Sequence, residues 1–450
     1  MQSSFTPPPP LEERKPSATV SASPYSVPPG LVGEIAQFTY AQAPRPVAEI
    51  ALAAGIALVS GIVGRAFNVF GNGTNVYILL LAPTGTGKEA PSTAIAKLMQ
   101  AASAHTLAGQ IGQTKLAEGG LPLAKGFIGA SDFSSAPALH RKLAKQISFL
   151  SIINEFGELL GLLFDKPNMN MRTLRKMIVQ LYEKSKRGNT LGAAAYADIE
   201  KDIAELLSPA LSILAESVPG SVYGSVDDSA VTSGFLTRFS FIEYNGKRPP
   251  LNENCGNVEP SAGLVQKIAD LCAIAASLNS KNAVTEVTAD VDAMGVLRAF
   301  NRECDNLINS ETDEIRLAIY TRSYVKVLKL AAIVAVGCNP YAPTITREIA
   351  DWSIEIERHT ANTLIQKFSQ GLIGDVSQSE VARQNKIRSV INDWFSKPWS
   401  SLQSYVAIPE EMRRSCFIPH TYLSKRLTSD ATFKNARNGS TAAMKNSIAE

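Results

Sequence analysis

Eight residues, Ala82-Pro83-Thr84-Gly85-Thr86-Gly87-Lys88-Glu89, have the types and spacing with which a chain wraps phosphate. Glycines let successive backbone N–H groups turn toward an anion. A lysine closing the loop reaches the β- and γ-phosphates of a nucleotide, and a following helix adds the positive end of its dipole. Two positions depart from the GxxxxGK[ST] pattern. Ala82 replaces the first Gly, which a small residue can serve, and Glu89 stands where Ser or Thr normally meets Mg²⁺. A carboxylate there is a candidate metal ligand, with Ser92 and Thr93 as helpers. The predicted binding set is Pro83, Thr84, Gly85, Thr86, Gly87, Lys88, Glu89 and Ala90, for ATP with Mg²⁺. The bland alternative is a Gly-rich strand-to-helix turn with no ligand.

ATP hydrolysis needs a second acidic element at the end of another strand. Ile147 to Ile153 followed by Asn154-Glu155 has that Walker B shape, with Asn in the usual Asp position. Glu155 is the candidate general base. Asn154 joins Glu89 as a candidate metal ligand, the carboxylate at 89 restoring the charge that Asn154 lacks. Read blandly, Glu155 is an acid stabilising a helix N-terminus. Further on, Glu216-Ser217 ends an apolar run where a polar sensor would watch the γ-phosphate. Arg238 follows Gly234-Phe235-Leu236 just before another run, which resembles the GFLxRF segment whose Arg acts on a neighbouring subunit's ATP. It is predicted to project from the edge of the module; a surface charge flanking a strand is the alternative. Lys88, Glu155 and Arg238 are the candidate catalytic residues.

Between these elements lies Met171 to Thr190. Arg172, Arg175 and Lys176 are read as facing one way, and Lys184, Lys186 and Arg187 crowd a Gly188-Asn189 turn. A basic turn inserted here would grip the phosphates of single-stranded DNA in the channel of a ring. A solvated charged loop competes with that reading.

These residues must be held by strands and helices. Asn75 to Ala82 is a continuous apolar run of the kind buried on both faces of a parallel sheet. Ile147–Asn154, Ala210–Glu216 and Phe239–Tyr244 repeat the pattern, and a helix over Ala94–Leu107 follows the phosphate loop. Alternating strands and helices predict an α/β fold, a P-loop NTPase with an AAA+/RecA-like parallel sheet and helices on both faces. After Pro249-Pro250 the strands are expected to stop, leaving a helical lid. The predicted divisions are a disordered Pro-rich arm (1–30), an N-terminal helical region (31–74), the P-loop core (75–250), the lid (251–370), a linker (371–382) and a basic tail (383–450).

Composition narrows the classes. The chain has 450 residues, 45% hydrophobic and 19% charged, with a net charge of +3. That suits a globular protein with a sizeable core and any nucleic-acid surface confined to a patch. Five scattered Cys and four isolated His argue against a disulfide framework, a zinc finger and a HExxH site, and fit a reducing cytoplasm. The N-terminal stretch lacks the basic and apolar regions of a secretory signal. Val47–Gly64 is apolar but contains Glu49 and is built mainly from Ala, Gly and Val, so a buried helix and no membrane partner is expected. Residues 383–450 hold eleven Lys and Arg against five Asp and Glu, the balance of a nucleic-acid-binding appendage or of a solvated basic face.

The stretches PGLVGEI (29–35), YILLLAPTGTGKE (77–89), FIGASDFSS (127–135), IINEFGELL (152–160) and SGFLTRFSF (233–241) resemble the YfjI-like family of phage, prophage and plasmid P-loop proteins. The resemblance implies an ATP-driven, ring-forming protein, a hexamer, acting with other mobile-element replication proteins. The order of elements is similar to that of minichromosome maintenance and superfamily III helicases. The tail from Phe417 resembles the start of a winged helix, with Tyr422, Leu423 and Leu427 on one helix and Ala442–Ile448 as the recognition helix; the sequence stops where a wing would begin. The leading expectation is a DNA-dependent ATPase, a replicative helicase. A weakly hydrolysing helicase loader or initiator adaptor is the second, favoured by Glu89 and Asn154. A small-molecule phosphotransferase is disfavoured because no acceptor site is visible.

Overall fold

A computed structural model describes residues 25–108, 124–165, 167–193, 204–226, 229–369, 380–402, 410–434 and 440–449. Helices Gly30–Gln42 (α1) and Ala48–Val63 (α2) lead through a two-strand turn, Phe67–Val69 (β1) and Asn72–Gly73 (β2), to Tyr77–Leu81 (β3). The phosphate loop and Ala90–Ala108 (α3) follow. Next come Ala136–Lys145 (α4), Ser148–Ile153 (β4), Phe156–Phe164 (α5) and Met169–Lys184 (α6). A hairpin of Thr190–Leu191 (β5) and Leu206–Leu207 (β6) precedes Ala210–Ser217 (β7), short helices Pro219–Tyr223 (α7) and Ser229–Thr232 (α8), and Phe239–Glu243 (β8). Beyond lie Ala262–Ser280 (α9), Thr285–Ala289 (β9), Val291–Ser310 (α10), Glu314–Cys338 (α11), Thr344–Ile345 (β10) and Arg347–Ser369 (α12).

The four predicted apolar runs form one parallel sheet in the order β4-β7-β3-β8. Side chains alternate between two cores, as the period of a strand requires. Ile78, Leu80, Leu150, Leu214 and Ile242 join the core built with α1, α2, α3, α9 and α11. Tyr77, Leu79, Leu81, Phe149, Ile213 and Phe241 join the core built with α4, α5 and α6. Leu80 pairs with Glu216 and Leu81 with both Ser217 and Glu243, so the carboxyl ends of these strands share one edge. That edge receives the phosphate loop and the acids.

The small-residue segment is α2, buried from Ile50 to Val63. A Cβ on Gly61 would come within 2.5 Å of Leu150 Cβ, so only glycine lets the helix lie this close to β4. No helix among the described residues is long and apolar enough to cross a membrane.

Several expectations change. Strands do not stop after residue 250: β9 and β10 join β1 and β2 in a second sheet, ordered β10-β9-β1-β2. A five-residue strand between two helices, with only Val287 fully buried, leaves too weak an apolar pattern to announce itself. Nor do the later helices stand apart as a lid. α9 and α11 share the core of α1 and α2, while Ala361 and Leu364 of α12 join the other core. Residues 25–30 belong to the fold rather than to an arm: Tyr25 is buried edge-on to His359, and the Trp352 indole donates to Ser26 O at 2.9 Å. The rest of the predicted arm, and residues 371–379 of the predicted linker, lie outside the described residues; Glu380 already begins a helix.

The tail consists of Glu380–Ser396 (α13), Glu410–Arg414 (α14), His420–Leu427 (α15), Ala431–Lys434 (α16) and Ser440–Ala449 (α17). Its small core gathers Trp394, Tyr422, Leu427, Phe433 and Met444. α15 and α17 match the two predicted helices. Among the described residues the tail has no strand.

Candidate functional site

The loop leaves β3 still held to the sheet, with Ala82 N donating to Ser217 O at 3.2 Å. Gly85 (φ +77°) and Gly87 (φ +89°) take the left-handed backbone that other residues avoid. A side chain on Gly87 would also meet Arg45 O at 2.7 Å. Thr86 is buried, and its hydroxyl closes the turn on Pro83 O at 2.6 Å, while Thr84 is exposed. Ala90 N donates to Gly87 O at 3.0 Å, and Ala90 O accepts from Gln42 Nε2 at 3.2 Å. The loop is thereby fixed at both ends, at the N-terminus of a 19-residue helix whose first N–H groups have no intrahelical acceptor.

Lys88 is 9% exposed, and its Nζ donates to Glu155 Oε1 at 2.6 Å. The structure thus joins two residues 67 positions apart that the sequence assigns to one reaction. Glu155 sits just past β4 at φ 49°, an uncommon conformation for a residue with a side chain, of the sort that clusters at functional sites. Its turn is tied to β7, Gly157 N donating to Ser217 Oγ at 3.2 Å.

Glu216, named from sequence only as a sensor, is buried, and its Oε1 has no hydrogen-bond partner. Burial pushes its pKa up to about 8, Glu89 adds to the rise, Lys88 opposes it and Glu155 adds again. Four ionisable groups therefore share one field at this edge. The folded chain keeps the Glu216 proton up to about pH 8, whereas the carboxyl of an unfolded chain loses it near 4.5. Folding takes up a proton between those values, so stability contributed here is present below pH 4.5 and lost as pH rises through 8. Glu216→Gln has no such proton to lose. It is expected to be more stable than the parent at pH 8.5 by up to about 4 kcal/mol, the gap closing toward pH 4.5. Thermal melts across that range check this; equal melting at pH 8.5 would show that the site tolerates the ionised Glu216.

Both candidate metal ligands, Glu89 and Asn154, are exposed at this edge. The helper hydroxyls are already engaged: Ser92 Oγ and Thr93 Oγ1 donate to Glu89 O at 2.9 and 3.1 Å. No three His, Cys, Asp or Glu side chains form a metal cage among the described residues. A nucleotide-bound Mg²⁺ needs none, because phosphate and water supply most of its oxygens. The Glu89 carboxylate and the Asn154 amide oxygen, both exposed beside the loop, are hard oxygen donors that fit such an ion, while Glu216 keeps its proton and is no ligand.

Arg238 is corrected. It precedes β8, hence at the amino edge of the sheet, opposite Lys88, and it is buried rather than projecting. Its guanidinium donates to Gly234 O and pairs with Glu183 at 3.3 Å, and Glu183 also holds Arg322 at 2.6 Å. Burial foremost, then Arg322, lowers the Arg238 pKa.

Lys186 and Arg187 are exposed and Lys184 half-buried, where α6 turns through Gly188 into the β5–β6 hairpin. Arg175 instead stacks on Phe164 at 4.3 Å. The basic turn borders a cavity of about 240 Å³ lined by Asn72, Tyr182, Glu183, Lys186, Arg322 and Lys329. Sequence reading passed over Lys329, which is fully buried and donates to Asn75 O, Asn75 Oδ1 and Tyr182 O at 2.8–3.0 Å. Burial brings its pKa down to about 7. The available signal was a pair of lysines, Lys326 and Lys329, in the otherwise apolar second half of a helix, Tyr324 to Cys338.

No protein-family model matches this chain, and no curated protein matches it.

Proposed function

We propose that the chain is an ATP-hydrolysing DNA motor, a replicative helicase of a phage, prophage or plasmid that works as a ring. The observation that carries this reading is the Lys88–Glu155 pair, 2.6 Å long, at the mouth of a glycine loop on the carboxyl edge of a parallel sheet. An incoming triphosphate draws the Lys88 ammonium onto its β- and γ-oxygens. Glu155 is then released from its ion pair, and its carboxylate accepts the proton of a water that attacks the γ-phosphorus as the bond to the β-phosphate oxygen breaks. Glu216, protonated below about pH 8, is a neutral donor for a γ-phosphate oxygen. Glu89 and Asn154 would hold Mg²⁺, which would supply positive charge against the negative charge that develops on the phosphates. The ring, a hexamer by the family resemblance, accommodates Arg238 as a finger on a neighbour only if that side chain leaves Glu183.

The exposed Lys186 and Arg187 beside the hairpin support DNA as the partner. Replacing both with Ala is expected to weaken single-stranded DNA binding and to flatten the plot of log affinity against log salt by about 1.4, two phosphate contacts for a single strand. Fluorescence anisotropy over a salt series measures it. An unchanged slope would remove this turn from the DNA path. The second reading, a nucleotide-binding loader that barely hydrolyses, is favoured by Glu89 in the Ser/Thr position and Asn154 in the Asp position.

A further inference from the structure

With Arg238 engaged at the far edge, the phosphate loop needs another guanidinium, and one lies across it. After β8 the chain continues pairing with the loop strand, Tyr244 N donating to Leu81 O at 2.9 Å, and then passes over the loop itself. The Arg248 guanidinium comes to rest with Cζ and Nε each 3.7 Å from where a Gly85 Cβ would stand. Its side chain is exposed and has no hydrogen bond or ion pair among the described residues. The backbone that carries it is fixed. Arg45 Nη1 donates to Pro249 O at 2.7 Å, Asn252 N donates to Pro44 O at 2.9 Å, and the Asn252 amide donates to Ala41 O and Ala43 O at 2.8 and 3.1 Å. Pro249 and Pro250 stiffen the strap further. Arg45, whose carbonyl presses on Gly87, spends one arm holding this strap, so the strap and the loop are positioned by the same residues.

The charge at the site asks for such a group. Glu89, Glu155 and Glu216 face the loop with Lys88, and a triphosphate adds several negative charges. A guanidinium presents a planar fork that matches two phosphate oxygens at once. From these contacts we infer that Arg248 binds the β/γ-phosphates of the nucleotide held by its own subunit, and supplies in cis the transition-state charge that Arg238 was expected to supply in trans. The inference rests on the phosphate-loop reading above.

The test uses the full chain with Mg²⁺ and ATP, in the variants Arg248→Ala, Arg248→Lys and Lys88→Ala. Because the Arg248 side chain is exposed and unpaired, its variants should melt like the parent. Arg248→Ala is expected to lower turnover at saturating ATP by about 10²–10³-fold. Its affinity for ATP should fall toward that for ADP, with Arg248→Lys in between because it restores charge without the fork. Mixing Arg248→Ala with Lys88→Ala should restore nothing, since neither subunit then holds a complete site. Parent-like turnover by Arg248→Ala while Lys88→Ala is dead would overturn the role of Arg248 and leave the phosphate-loop reading standing. Rescue in the mixture would overturn its action in cis. Parent-like ATP binding by Lys88→Ala would overturn the loop reading itself.

Discussion

Lys88→Ala should weaken nucleotide binding by about 10³-fold, and turnover should be lost with it. The Lys88 ammonium is nearly buried, within 2.6 Å of the carboxylate it would exchange for phosphate. Removing it takes one cation from a site where Glu89, Glu155 and Glu216 already crowd one another. A unit charge 4 Å from a phosphate oxygen is worth about 4 kcal/mol at the effective dielectric of a partly exposed site. That corresponds to a loss of roughly 10³ in affinity. Titration of a fluorescent ATP analogue reads the change directly. A variant that binds as the parent does would mean that nucleotide, if bound at all, sits elsewhere.

Glu155→Gln should separate binding from chemistry. The amide keeps the shape of the carboxylate at the end of β4, so the loop and the β7 tie through Gly157 and Ser217 survive. The ion pair that competes with phosphate for Lys88 is gone, so ATP should bind as tightly as in the parent or more so. The attacking water loses its proton acceptor, and turnover should fall by about 10²–10⁴-fold. Phosphate release under saturating ATP checks this against the binding titration. Undiminished turnover would transfer the general-base role to another group.

The parts of this site that were legible in the sequence are those written in short, local patterns. The apolar runs ending at Leu81, Ile153, Ser217 and Glu243 are buried on both faces, so they read as strands without ambiguity and their shared carboxyl edge follows from parallel pairing. Gly85, Gly87 and Lys88 announce the loop because few other turns need that backbone. What stayed hidden depends on tertiary contact. Whether Arg238 projects or folds inward is decided by Glu183, 55 residues away. Arg248 looks like an ordinary polar residue before two prolines until Arg45, more than 200 residues earlier, anchors its strap. β9 and β10 escaped because strands that short gain their identity from the partners they meet, β1 above all, and not from their own composition.

The proposed motor hydrolyses ATP at this edge and is driven by DNA. The most direct measurement is phosphate release by the full chain with Mg²⁺ and ATP, with and without a single-stranded oligonucleotide, over a range of protein concentrations. Turnover is expected to rise at least about tenfold with DNA, the scale of a step whose catalytic geometry is completed by a partner. Turnover per chain is also expected to grow with concentration as rings assemble. ATP that is bound at the loop but released intact, with DNA present or absent, would contradict the motor and leave a nucleotide-binding loader.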